Sequence, residues 1–305
     1  MSVASVTVTG ATGLIGPRLV AALQARGARV TVLSRDPARA RERLGEVEAF
    51  AWDLLREPAP AAALEGRDAV VHLAGEPVAQ RWSAKAKRAI RESRVLGTRN
   101  LLAGLETAGQ RPGTLVSSSA IGYYGPRGEE PIDEDAPPGD DFLAKVCVEW
   151  EAEAARAREL GARVVCVRTG VVLDASGGAL GKMLPPFRLG VGGPVAGGRQ
   201  YISWINTEDL VGLMLTALEE PDWSGPINAT APEPVSNADF SRALGRTLGR
   251  PAAVPVPGLA LRALYGEMAE IVTAGARVVP ARPLMLGYEF LHPRLEEALR
   301  SALER

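Results

Sequence analysis

The sequence predicts an α/β protein, a doubly wound parallel sheet carrying a smaller C-terminal substrate lobe. Three observations carry that reading. Short β-branched runs alternate with amphipathic stretches through the first half of the chain. A glycine-rich turn joins the first run to the first amphipathic stretch. Past residue 175 the rhythm gives way to Gly/Pro-rich and then helical sequence. The chain therefore divides into residues 1–175 and 176–305, with a return of 200–230 to the first unit.

Each element has its own signal. Residues 3–9 read as a buried strand. Residues 17–26 read as a helix, with Leu19, Val20 and Leu23 on one face and Gly27 as its stop. Residues 29–34 form the second strand. Asp36-Pro37 then opens a helix, Asp36 as cap and Pro37 at the first helical position. Residues 47–52, 69–73, 114–119 and 163–167 give strands three to six. Residues 176–203 hold Gly177-Gly178, Pro185-Pro186, Gly192-Gly193-Pro194 and Gly197-Gly198, and read as a long irregular region. Residues 201–205 read as a strand, 206–220 as a helix capped by Asn206, and 227–230 as a last short strand. Beyond Ser236 the chain reads as helical, with proline interruptions at 251–257.

Composition excludes several function classes. The chain has 305 residues, 46% of them hydrophobic, so a large core is expected. Lys and Arg number 35 against 36 Asp and Glu, a net charge of −1, which gives no bulk pull toward nucleic acid or an anionic membrane. The run Lys85, Lys87, Arg88, Arg91, Arg94 is interleaved with Ala89, Ile90, Glu92 and Val95, and reads as a solvated helix face rather than a nucleic-acid stripe. Two cysteines (Cys147, Cys166) and two histidines (His72, His292) supply neither a disulfide framework nor a zinc cage. They leave only two candidate bases for a Ser-His-Asp triad. The N-terminus lacks a basic, apolar leader, and no 18-residue apolar run exists, so a cytoplasmic protein is expected.

Thr9-Gly10-Ala11-Thr12-Gly13-Leu14-Ile15-Gly16 follows the first strand and opens a helix. In that context Gly10 permits the tight turn, Gly13 lets a pyrophosphate approach the backbone, and Gly16 lets helix and strand pack closely. Thr12, Leu14, Ile15 and the helix N-terminus complete an anion site. Ser34-Arg35 stands where a ribose 2′-OH or 2′-phosphate is read. Arg35 offers a planar fork of donors suited to phosphate, so NADP(H) is preferred and NAD(H) remains possible. Asp53, after the third strand, suits the adenine amino group. Leu73-Ala74-Gly75 ends the fourth strand, where small residues let a cofactor pass close to backbone.

These motifs, with Gly97-Thr-Arg-Asn100 and Ser117-Ser-Ser-Ala-Ile-Gly-Tyr-Tyr-Gly125, resemble the extended short-chain dehydrogenase/reductase superfamily. Phe142-Leu-Ala-Lys-Val-Cys147, Trp150-Glu151, Arg168-Thr-Gly170, the stretch from Gly192 to Ile205, and Leu286-Gly-Tyr-Glu-Phe290 resemble one branch more closely. That branch is the atypical NAD-dependent epimerase/dehydratase-like "epimerase family" proteins, which carry a small C-terminal domain of unknown function. The resemblance implies a Rossmann domain and a C-terminal lobe shaping a substrate pocket. It also places Ser117 and Ser118 at the cofactor. Active members pair a Ser with Tyr-x-x-x-Lys: Tyr exchanges a proton with the substrate oxygen and Lys lowers the Tyr pKa.

Here the serine is Ser119, four residues before Tyr123, but no Tyr-x-x-x-Lys occurs. Phe142 and Val146 take those places, and Lys145 is one residue early, ~100° round a helix from the required face. Ser119, Tyr123 and Lys145 are the remaining catalytic candidates. Phe142, Arg199 and Trp204 are the substrate candidates, Arg199 within a Gly-rich lid. No metal is expected, nor any nucleic-acid or membrane partner, and a homodimer fits. The function expected is an NADP(H)-dependent oxidoreductase or epimerase acting on a small carbonyl or sugar-type substrate. The alternative is a non-catalytic NADP(H)-binding regulatory or interaction protein.

Overall fold

The computed structural model describes residues 3–304; Met1 and Ser2, within the segment read for a leader, and Arg305 lie outside the described residues. The chain starts as a run of strand–helix units. β1 (Ser5–Thr9) leads into α1 (Gly16–Ala25), β2 (Arg29–Ser34) into α2 (Pro37–Leu44), and β3 (Glu48–Ala51) into β4 (Ala69–His72). The long α3 (Ala84–Thr107) crosses to β5 (Thr114–Ala120), which ends in a tight 3-10 turn at Ile121–Tyr124. A short β6 (Pro131–Ile132), α4 (Phe142–Ala155) and β7 (Arg163–Thr169) follow. The middle of the chain holds β8 (Val171–Leu173), α5 (Gly178–Arg188), β9 (Tyr201–Ile202), β10 (Trp204–Asn206), α6 (Thr207–Glu219), β11 (Gly225–Ala229), β12 (Val235–Ser236) and α7 (Asn237–Leu248). It closes with α8 (Gly258–Tyr265), α9 (Ala269–Thr273), β13 (Arg277–Val278), α10 (Ala281–Met285) and α11 (Leu295–Leu303).

Seven strands form one parallel sheet in the order β11-β7-β5-β4-β1-β2-β3. The chain moves outward from β1 through β2 to β3, then returns and moves the other way from β4. The switch point therefore lies between β1 and β4, where doubly wound sheets bind ligands. All five β1 residues are buried, as expected of a parallel strand covered on both faces. One core packs α1 and α6 on the sheet through Val6, Val8, Leu19, Leu23, Val116 and Leu213. The opposite face packs α3 and α4 through Val70, Leu101, Leu105, Leu115, Ala154 and Val164. A third core joins α5, α7 and α11 around Trp204. Among the described residues no helix is long and apolar enough to cross a membrane.

Strand and helix ends in the first half depart from the sequence reading by no more than two residues. Two later expectations are corrected. Residues 176–203 are not irregular throughout, because α5 runs through Pro185 and Pro186. Its Leu180, Leu184 and Phe187 recur at helical spacing and are buried together, which offsets the ~3 kcal/mol a mid-helix proline costs. The strand expected over 201–205 is two short strands with different partners, β12 for β9 and β8 for β10. Ser203 causes the break. Its buried hydroxyl donates to Ala276 O (2.8 Å) and accepts from Val278 N (2.9 Å), drawing the chain toward the C-terminal segment.

Candidate functional site

The strand exits at the switch point build a cleft whose parts follow sheet order. At its centre, Gly10 has φ +67°, a left-handed conformation that favours glycine. A Cβ there would also lie 2.7 Å from Ala74 N, so the glycine turn and the β4 exit touch backbone to backbone. A Cβ on Gly16 would lie 2.3 Å from Ala11 O, so only glycine lets α1 sit down on its own turn. Gly13 differs: it is exposed, and its Cβ would meet only Gly10 O, at 3.1 Å. Ile15 stands at the N-cap of α1 and supplies no capping oxygen, so the first-turn N–H groups face the cleft without a side-chain acceptor. Thr12, Leu14 and Ile15 are half-buried around them. A pyrophosphate fits this cradle because no side chain fills it.

On the β2 side, Asp36 Oδ1 accepts from Arg39 N (3.0 Å) and Ser34 Oγ accepts from Asp36 N (3.2 Å). The acid is thus spent as the cap of α2. Arg35 is exposed, with no hydrogen bond or ion pair to any described residue. The register Ser34↔Ala51 brings β3 alongside, and Trp52 N donates to Ser34 O (3.0 Å). Asp53 accepts from Leu55 N (3.1 Å) and pairs with Arg56 (3.2 Å), yet its side chain stays one-third exposed.

Beneath β4 runs a directed chain of hydrogen bonds. Ala74 N donates to Thr9 Oγ1 (3.2 Å), and Thr9 Oγ1 lies 2.7 Å from His72 Nδ1. His72 Nε2 lies 3.2 Å from Thr98 Oγ1, which donates to Arg94 O (2.6 Å). Since Thr98 spends its proton on Arg94 O, His72 must donate from Nε2 and accept at Nδ1. Burial favours this neutral form, pulling the imidazole pKa down to about 4. His72 therefore holds the floor of the cleft and does not act as a base. Leu73, Ala74 and Gly75 continue from it along the cleft edge, half-buried to exposed.

On the β5 side, Ser117 is buried and Ser118 half-buried. Ser119 Oγ donates to Glu151 Oε1 at 2.6 Å. Arg168 holds the same carboxylate with two bonds of 2.8 Å, from Nε to Oε1 and from Nη2 to Oε2. Its guanidinium lies over the Tyr123 ring, 3.5 Å from the centroid. Its Nη1 donates to Tyr124 OH (2.8 Å), which donates to Asn228 Oδ1 (2.7 Å). Burial pushes the Tyr124 phenol up to about 12. Cys147 sits on the inward face of α4 beside Ala120, its thiol pushed up to about 12 by burial, with Glu151 adding to the shift.

Several sequence candidates fall elsewhere. Lys145 is exposed between buried Ala144 and Val146, turned away from Ser119 by helix rotation. Trp204 is fully buried among apolar side chains, with its Nε1 donating to Glu233 O (3.2 Å), so it is a packing anchor and not a substrate platform. Phe142 is half-buried edge-on against Trp82 (5.2 Å), with Lys87 above both rings. Arg199 is exposed and bonded to no described residue. The basic run of α3 is not wholly a solvated face, because Arg94 turns inward beneath Gly75. Glu151, Arg168 and Thr98 entered the sequence reading only as motif residues and Arg94 only as a surface charge, none with a role in the site. Glu151 does lie one turn from Cys147, and Arg94 one turn from buried Ile90.

Comparison with known proteins agrees with this fold. The model of the NAD dependent epimerase/dehydratase family matches residues 6–229, and that of a domain of unknown function matches residues 256–302. An epimerase family protein SDR39U1 homolog, chloroplastic, from Arabidopsis thaliana is 42% identical over 303 residues, covering 98% of this chain and 87% of that protein. The crystal structure of human epimerase family protein SDR39U1 (isoform2) with NADPH superposes with a TM-score of 0.88 at 38% identity, covering 98% of this chain and 99% of that one. A nucleoside-diphosphate sugar epimerase from Corynebacterium glutamicum gives 0.78 at 37% identity, covering 98% of this chain and 58% of that one.

Proposed function

The chain belongs to the NAD dependent epimerase/dehydratase family, and from that premise we propose that it binds NADP(H) in preference to NAD(H) along the exits of β1 to β5. It acts there as an oxidoreductase or epimerase on a small carbonyl or sugar-type substrate, without a Tyr-x-x-x-Lys pair. The observation that carries the cofactor choice is at β2. Arg35 is unpaired, while the adjacent acid, Asp36, is consumed by the α2 cap. A 2′-phosphate meets a cation there, while the adjacent carboxylate is engaged at the α2 N-terminus through Oδ1. The NADPH in the human relative's structure supports the same choice.

The bound nicotinamide supplies hydride transfer. Ser119 commits its proton to Glu151, so its lone pairs are left to accept from a substrate hydroxyl. Tyr123, stacked on the same Arg168 that holds Glu151, is the neighbouring phenol, and the unpaired Arg199 is the cation proposed for an anionic substrate group. The competing reading is a non-catalytic NADP(H)-binding protein. It is favoured by one observation, the outward Lys145 beside a Phe142 that has no hydroxyl.

Fluorescence titration with NADPH and NADH tests the cofactor assignment. Wild type should bind NADPH more tightly, and Arg35→Asp should weaken it on the order of tenfold or more while narrowing the gap to NADH. An unchanged preference overturns the 2′-phosphate assignment. NADPH turnover across carbonyl compounds and nucleotide sugars separates the two readings: turnover is expected, and binding without any turnover decides for the non-catalytic protein.

A further inference from the structure

We propose that Arg94 is the cation of the cleft floor, donating from Nε and Nη2 to hydroxyls of the ribose on the nicotinamide side of the dinucleotide. The inference deepens the cofactor reading above and rests on it. Sheet order fixes the path. With the pyrophosphate at the β1 exit and the 2′-phosphate at β2, the other half of the molecule must cross the exits of β4 and β5. Arg94 lies under that crossing. A Cβ on Gly75, in the exposed β4 exit, would come within 3.4 Å of its Cζ and 3.5 Å of both Nη atoms.

The guanidinium is half used. Nη1 donates to Glu76 O and Ile90 O, both at 3.0 Å. Glu76 N in turn donates to Ser93 Oγ (2.9 Å), so consecutive residues of α3 grip both backbone groups of Glu76. Nε and Nη2 donate to no described residue, and no described carboxylate forms an ion pair with Arg94. Trp150 closes one side, its ring centroid 5.1 Å from Cζ. One turn back on the same helix α4, Cys147 has a neutral buried thiol, and Lys145 points outward. A half-buried cation with idle donors, no ion pair and only the Glu76 charge nearby is unfavourable alone. Vicinal hydroxyls match a planar donor fork and offset that cost. A phosphate is better served one strand away, by the N-terminus of α1.

The test compares NADPH with 2′,5′-ADP, which keeps the 2′-phosphate but lacks the nicotinamide-side ribose. Arg94→Gln should weaken NADPH about tenfold, the scale of a lost hydrogen bond to a charged group, and leave 2′,5′-ADP within about twofold of wild type. Equal weakening of both ligands would show that Arg94 only holds the 73–76 loop, and no weakening would remove it from the site; either result overturns the proposal. Arg94→Lys keeps the charge but not the fork, and guards against misfolding of the first variant. It should lose NADPH affinity severalfold with 2′,5′-ADP unchanged, and wild-type NADPH affinity in this variant also overturns the proposal. If the wild-type protein binds neither ligand, the cofactor reading fails instead.

Discussion

His72 shows how much one side chain organises. It is buried between two threonines and links the glycine turn to α3 through a chain in which every donor has a direction. Protonation would put a second N–H at Nδ1, against the hydroxyl proton of Thr9. The folded-state pKa, about 4, lies below the ordinary 6.5. The unfolded chain therefore binds the proton first. Stability from this group is complete above pH 6.5 and drains as pH falls toward 4, by about 3 kcal/mol in all. The chain has two histidines, so imidazole NMR can follow each. His72 should stay neutral to pH about 4 as the Nε2–H tautomer; a midpoint near 6.5 or an Nδ1–H tautomer would refute the hydrogen-bond chain. The sequence placed His72 at a strand end but did not reveal its partners. Arg94 was hidden for a different reason: a tally of charges ignores helix rotation, and only its spacing of four from Ile90 and Thr98 marks it as inward.

At the scale of the element, the three glycines of the loop do separate jobs. Gly16 and Gly10 are demanded by contacts within the protein, whereas a Cβ on Gly13 would meet only Gly10 O at 3.1 Å, so the proposed pyrophosphate is what would require it. Gly16→Ala should therefore lower the thermal midpoint as well as NADPH affinity, since backbone must shift around Ala11. Gly13→Ala should cost under about 1 kcal/mol of stability yet weaken NADPH severalfold or more. Equal melting losses in both would contradict this division. The motif was fully legible, because strand, glycines and helix are contiguous in sequence. α5 was not. Its two prolines signal a break locally, and the burial that overrides them comes from α7, α11 and Trp204, distant in the chain.

The whole molecule depends on distant segments returning to the sheet. Glu134 accepts from Asn228 N (2.8 Å) and Arg282 N (3.0 Å), and Asp209 accepts from Leu291 N (2.7 Å) and His292 N (3.0 Å). Parallel strands made the first six strands readable, but such long-range docking leaves no periodic trace. The sheet's edge has the same character. Arg163, at the start of β7, bonds Ala217 O (2.7 Å), Trp223 O (2.6 Å) and Leu218 O (3.0 Å), and β7 then pairs with β11. A fragment ending at residue 222 should expose that edge, bind hydrophobic dye and self-associate; a soluble monomer with cooperative unfolding would refute this. The consequence reaches beyond the finished protein. On the ribosome β7 emerges roughly 60 residues ahead of its outer neighbour, several seconds at about 5–20 residues per second. Through that interval a Val-Val-Cys-Val ribbon stands open to any passing strand. The order of manufacture therefore sets a window of vulnerability for the nascent chain, and the arrival of Gly225–Ala229 closes it.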